Sequence, residues 1–162
     1  MKLVRFAGDH DIDYVIELVK EAREESVTFK QFYEADEEYV RRSLLAMLDN
    51  PNYFILIARD YNMEQVGPES RTTGVFIGLI SPSWFSPTVE ATELFLYVTK
   101  DYRGSRDAVK LLREFEKQLK GTGAKRIVAG NSLEINSKTV RKLYKGLGYT
   151  VDGDSFTKVL NV

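Results

Sequence analysis

The chain has 162 residues, 43% of them hydrophobic, including nine Phe and nine Tyr, which is enough to bury one core and too short for two ordinary domains. Its 23 basic and 24 acidic residues give a net charge of -1, which excludes the broad positive field of a nucleic-acid binder, and with no Cys there are no disulfides, thiolate metal sites or Cys nucleophiles. Charge at Lys2 and Arg5 interrupts the N-terminus too early for a signal peptide, and no apolar run approaches the roughly 20 residues of a membrane span. A single cytoplasmic domain over residues 1–162 is expected, without metal, membrane or nucleic-acid partner.

Residues 3–6 alternate apolar and basic side chains and read as a short strand. Asp9 can then cap a helix in which Ile12, Val15, Ile16 and Val19 recur at helical spacing. Residues 27–33 are aromatic and lack a clear period. A second helix is predicted from about Asp36 to Leu48, with Tyr39, Val40, Leu44, Leu45 and Leu48 inward and Asn50-Pro51 closing it. Residues 53–59 and 72–80 read as a hairpin around a polar turn that holds Gly67-Pro68. Residues 81–88, with Pro82, Trp84, Phe85 and Pro87, read as a loop whose aromatics could be core plugs, partner contacts or a pocket wall.

The segment from Leu94 to Ala108 is the most informative. A strand over residues 90–98 ends in a charged turn, a loop containing Gly104 follows, and a helix begins with Val109, Leu111, Leu112, Phe115 and Leu119 on one face. The first N–H groups of a helix have no intrahelical partner and lie at the positive end of its dipole, so this order builds an anion cradle to which Arg103 and Arg106 would add charge. Gly121-Thr122-Gly123 ends the helix and residues 124–130 form the next strand. Ser137 can cap a further helix carrying Val140, Leu143, Tyr144 and Leu147, after which residues 149–151 and 156–160 are predicted to pair around Asp152-Gly153. The order implies an α/β fold of the α+β type, with four helices on a mixed, mostly antiparallel sheet of about seven strands and one βαβ crossover.

Two motifs give the chain its resemblance to the GNAT superfamily of acyl-CoA-dependent N-acetyltransferases. Arg103-Gly104-Ser105-Arg106-Asp107-Ala108 resembles the family's acyl-CoA loop, Gln/Arg-x-x-Gly-x-Gly/Ala, with Arg106 at the middle Gly; that arginine must point outward or itself meet a phosphate. Residues 137–149 resemble Asn-x-x-Ala-x-x-x-Tyr-x-x-x-Gly-Phe, with Tyr144 at the position of the tyrosine that protonates the departing thiolate. Ser137, or Asn136 after a one-residue slip, stands at the Asn that caps the helix and reaches the pantetheine arm.

The resemblance implies a single domain whose sheet splays between the fourth and fifth strands. It also implies acetyl-CoA as co-substrate, held by Arg103, Gly104, Ser105, Arg106, Asp107 and Ala108, with the main chain at Tyr97 and Val98 pairing with the pantetheine. A neutral primary amine of a small molecule, peptide N-terminus or lysine would attack the thioester directly, in a monomer or homodimer. Glu90 and Glu93 lie on the strand where some members place a base; simple alternation puts Glu90 with Leu94 and Leu96, and Glu93 with Phe95 and Tyr97, so only one faces the cleft.

Each residue also has a plainer explanation. Tyr144 fits an ordinary core tyrosine, Glu93 a surface carboxylate, and Arg103 and Arg106 a solvated face with Asp101 and Asp107. The competing function is a non-catalytic acyl-CoA-binding or protein-interaction module on the same fold. A nucleotide site has less support, because Gly-x-Gly-x-x-Gly and Gly-x-x-x-x-Gly-Lys-Ser/Thr are both absent. The acidic run at Glu34, Asp36, Glu37 and Glu38 fits either a cationic acceptor or a solvated first helical turn.

Overall fold

A computed structural model describes residues 2–61, 71–131 and 133–160. The strands are β1 (Lys2–Phe6), β2 (Tyr53–Asp60), β3 (Arg71–Ser83), β4 (Ser86–Val98) and β5 (Ile127–Val128); the α-helices are α1 (Ile12–Glu25), α2 (Val27–Phe32), α3 (Glu37–Leu48), α4 (Asp107–Gln118) and α5 (Ser137–Gly146). The sheet order is β1-β2-β3-β4-β5, antiparallel through β4, with β5 added in parallel after the crossover through α4. No helix among the described residues is long and apolar enough to cross a membrane.

Alternation along the strands divides the core between two sheet faces. Ile55, Ile57, Val75, Ile77, Phe95 and Tyr97 point toward α1 and α3, where Val15, Ile16, Leu18 and Leu44 meet them. Phe54, Leu56, Ala58, Phe76 and Ala91 point the other way, onto Leu111, Leu112 and Phe115 of α4, with Leu143 and Tyr144 of α5 packed at the margin.

Register shifts interrupt the alternation at three places, one of them near the hairpin tip between Pro82 and Ser83 and two close to the site. Ile77 pairs with Phe95 but Gly78 pairs with Glu93, so Leu94 is the extra residue in β4. Upstream of that bulge the faces exchange, and Glu93 joins Leu96 and Val98 on the α4 and α5 face instead of Phe95 and Tyr97, while Glu90 leaves the face of Leu96. In β3, Ala58 pairs with Gly74 and Arg59 with Thr72, leaving Thr73 as the extra residue. The buried Thr73 hydroxyl donates to Asp107 at the start of α4, 2.8 Å away, and so ties that helix end to the sheet.

Several expectations are corrected. The described residues hold five strands and five α-helices, not about seven strands and four helices. The added helix is α2, whose N-cap Ser26 accepts from the Phe29 N–H at 3.2 Å. Residues 81–88 are not a loop: β3 and β4 run almost to Trp84 and Phe85, which form the exposed tip of a long hairpin. Residues 149–160 form no strands; β5 offers only two ladder positions to extend, and an isolated two-stranded hairpin is marginal in water. The turn at Gly67-Pro68 lies outside the described residues.

Candidate active site

Among the described residues, β4 and β5 pair at Ala91 with Ile127 and at Thr92 with Val128. Beyond these pairs, Glu93, Leu96, Tyr97 and Val98 on one side and Gly130 and Asn131 on the other line a cavity of ≈ 530 Å³. Arg103, Gly104, Ser105, Ala108 and Val109 form another wall, and Asn136, Thr139, Val140, Leu143 and Tyr144 close it from α5.

Tyr144 and Glu93, 51 residues apart, meet here, the tyrosine hydroxyl donating to a carboxylate oxygen. The Leu94 bulge turns Glu93 toward α5, and Gly148, at φ 90°, ends that helix while the Tyr149 N–H bonds the Tyr144 carbonyl at 3.0 Å. Burial raises the Glu93 carboxyl to about 7, against the hydrogen bond from Tyr144, which pulls it down. Burial, and then the neighbouring Glu93 charge, push the Tyr144 hydroxyl well above its ordinary range, so it keeps its proton. A half-ionised carboxyl and a protonated phenol in one partly dry cleft can accept and donate protons near neutrality.

The loop before α4 has the geometry of a cradle. Gly104 has φ 85°, a conformation that favours glycine, and open space where a side chain would stand. The first bond inside α4 runs from the Lys110 N–H to the Arg106 carbonyl, 2.9 Å, leaving the earlier N–H groups of Ala108 and Val109 without a carbonyl one turn back. Both residues line the cavity, and this donor set fits a diphosphate. Arg106 is exposed outside the lining, and Asp107 is buried against Thr73. Arg103 forms a bidentate pair with Glu25, 2.7 Å at each contact.

Ser137 lies outside the cavity lining. It is the first helical residue, not the cap; its hydroxyl accepts from Asn131 Nδ2 at 2.8 Å, and Asn136, at φ 50°, occupies the N-cap position and lines the cavity. Glu90 is outside as well, paired with Arg126 at 2.8 Å. Sequence reasoning missed Glu25, whose run of helical acids looks like an ordinary solvated face, and Leu133 and Ile135, which fold back onto the α1 side of the core. Among the described residues, no group of three or more His, Cys, Asp or Glu could hold a metal ion.

The sequence matches the model of the acetyltransferase (GNAT) family over residues 12–149. No curated protein matches it significantly. Its fold is similar to that of a transcriptional regulator from Bacillus halodurans, with TM-score 0.75 and 14% identity over 99% of this chain and 100% of that one. It is also similar to an aminoglycoside acetyltransferase from an uncultured soil metagenomic sample (0.73, 16%, 99% of each chain). A ribosomal-protein-alanine N-acetyltransferase from Brucella melitensis biovar Abortus superposes with TM-score 0.71 at 16% identity, over 98% of this chain and 99% of that one. A mixed sheet that parts beyond Thr92, a glycine cradle at the start of α4 and a family match spanning most of the sequence lead to one assignment: the chain belongs to the GNAT acetyltransferase family.

Proposed function

We propose that the protein is an N-acetyltransferase that moves the acetyl group of acetyl-CoA to a primary amine by direct attack of the amine on the thioester. The observation that carries this is the hydrogen bond between Tyr144 and Glu93 inside the cavity that the cradle also lines. The thioester supplies an electrophilic carbonyl and a thiolate leaving group. The N–H groups of Ala108 and Val109, with the open backbone at Gly104, would hold the diphosphate, and the end of β4 at Tyr97 and Val98, free of β5, would align the pantetheine. Ionised Glu93 takes the proton lost by the attacking amine, and Tyr144 gives one to the sulfur. The proton on Glu93 then returns to Tyr144 along their shared hydrogen bond, so the pair ends the cycle as it began.

Arg106 at the family's Gly position favours a non-catalytic acyl-CoA-binding module, but its exposure outside the lining leaves the cradle open. Structural neighbours are described as acting on aminoglycosides and on a ribosomal-protein alanine, so the acceptor panel spans aminoglycosides, peptide N-termini, lysine and small amines. The test is a thermal shift with acetyl-CoA followed by that panel, read by free-thiol release. Stabilisation and thiol release with at least one amine are expected. No shift at millimolar acetyl-CoA would overturn the reading, and binding without turnover on any amine would favour the module.

A further inference from the structure

We propose that Glu25, the last residue of α1, is a positioning residue for the acyl-CoA site, holding Arg103 as a clamp between the end of β4 and the cradle loop. This rests on the acyl-CoA reading above.

Glu25 meets both terminal nitrogens of Arg103 at 2.7 Å and accepts from the Tyr97 hydroxyl. The remaining guanidinium nitrogen of Arg103, Nε, donates to the Val98 carbonyl at 3.2 Å, and the group lies 5.4 Å from the centre of the Tyr97 ring. Each guanidinium nitrogen therefore makes a bond, and one face of the group is covered. In this arrangement Arg103 is a strut more than a phosphate ligand. Its hydrogen bonds, ahead of the opposing effect of burial, hold the Glu25 carboxyl below its ordinary range, which keeps the pair charged at neutral pH.

The strut joins the two walls that must face one ligand. Val98 ends the strand that would align the pantetheine, and Arg103 leads directly into Gly104 and the cradle. Glu25 is itself well anchored: Val15, Ile16, Leu18 and Ala22 bury α1 in the core, and the next residue, buried Ser26, caps α2. Bidentate pairing adds geometric definition that a single contact lacks, so the spacing between strand end and cradle is set from α1.

The test measures acetyl-CoA binding by calorimetry, together with KM for acetyl-CoA and for the amine, in the full chain. Glu25→Gln is expected to weaken acetyl-CoA binding roughly 10-fold and raise its KM in parallel, with the amine KM within about twofold. Glu24→Gln removes a neighbouring charge that pairs with Lys30 and Arg23, and should bind acetyl-CoA as wild type does. Adding Glu25→Gln to Arg103→Ala should produce no further loss, because the two act as one unit. Binding by Glu25→Gln equal to wild type, a loss that falls on the amine KM instead, or additive effects in the double variant would each overturn the clamp. Wild-type protein that fails to bind acetyl-CoA would overturn the acyl-CoA reading and the clamp with it, whereas wild-type binding matched by Glu25→Gln overturns the clamp alone.

Discussion

Glu93 stands opposite Gly78 across the β3–β4 ladder, one step out of phase with Phe95 opposite Ile77. The missing side chain at Gly78 is what lets β3, the strand that carries Glu93's partner, lie on α4. A β-carbon there would come within 2.7 Å of Phe76 and 2.8 Å of Phe115, two buried rings whose centroids are 4.5 Å apart. Gly78→Ala should therefore overpack this face and cost about 1–3 kcal/mol in urea denaturation. An unchanged midpoint would mean that the rings have room to move.

A second charge cluster, away from the cavity, fixes the first turn. Asp11 is fully buried and accepts from Arg5 at 2.7 and 2.9 Å, from the Gly8 N–H at 2.9 Å and from Arg59 at 3.2 Å. Removing one member of such a pair leaves buried charge behind, so Asp11→Ala should lose about 3–5 kcal/mol. Burial raises the Asp11 carboxyl, but the hydrogen bonds from Arg5 and the Gly8 N–H, with the Arg5 charge, outweigh it and hold the group below its ordinary 3.8. A depressed carboxyl stabilises the fold above its unfolded value, and that contribution is lost as pH falls through the lower folded one. Asp11→Asn should flatten the acid side of the stability curve below pH 3.8; an unaltered slope would contradict this.

Where local pattern decides structure, the sequence was informative. The strand, loop and helix from Leu94 to Ala108 follow from periodicity and turn residues, and the long helices and the β2 and β3 strands from periodicity. The Leu94 bulge was not legible, because an extra leucine in an apolar strand leaves composition unchanged while reversing every side chain beyond it. It is also what brings Glu93 to Tyr144. Nor could spacing show that Arg103 pairs with Glu25, 78 residues away. Residues 149–160 carry strand-forming side chains, but propensity forms a strand only where an edge accepts it, and β5 is two residues long.

Tyr144→Phe keeps the ring against Tyr149, at 5.1 Å between centroids, and removes only the hydroxyl. If that hydroxyl protonates the thiolate, kcat should fall roughly 100-fold while KM for acetyl-CoA changes little. The variant also removes the donor that pulls the Glu93 carboxyl down, so the acid limb of the pH–rate profile should move above its wild-type position near 7. Unchanged kcat would take Tyr144 out of the proton path.

Glu93 gives the sharpest prediction, because one titration acts on rate and stability with opposite signs. Its carboxyl rises from 4.5 to about 7 on folding, chiefly through burial. The native state thus binds a proton more tightly than the unfolded chain between those values, and stability should fall as pH rises through that window, by roughly 1–3 kcal/mol. Over the same window the ionised base is gained, so kcat/KM should climb with an inflection near 7. Glu93→Gln should abolish both trends, giving a slow enzyme whose urea midpoint no longer drops between about pH 5 and about pH 8. A wild-type rate that is flat across the window would remove Glu93 as the base. A flat wild-type stability would show instead that the carboxyl is ionised in the folded protein well below 7, and the two measurements separate those outcomes.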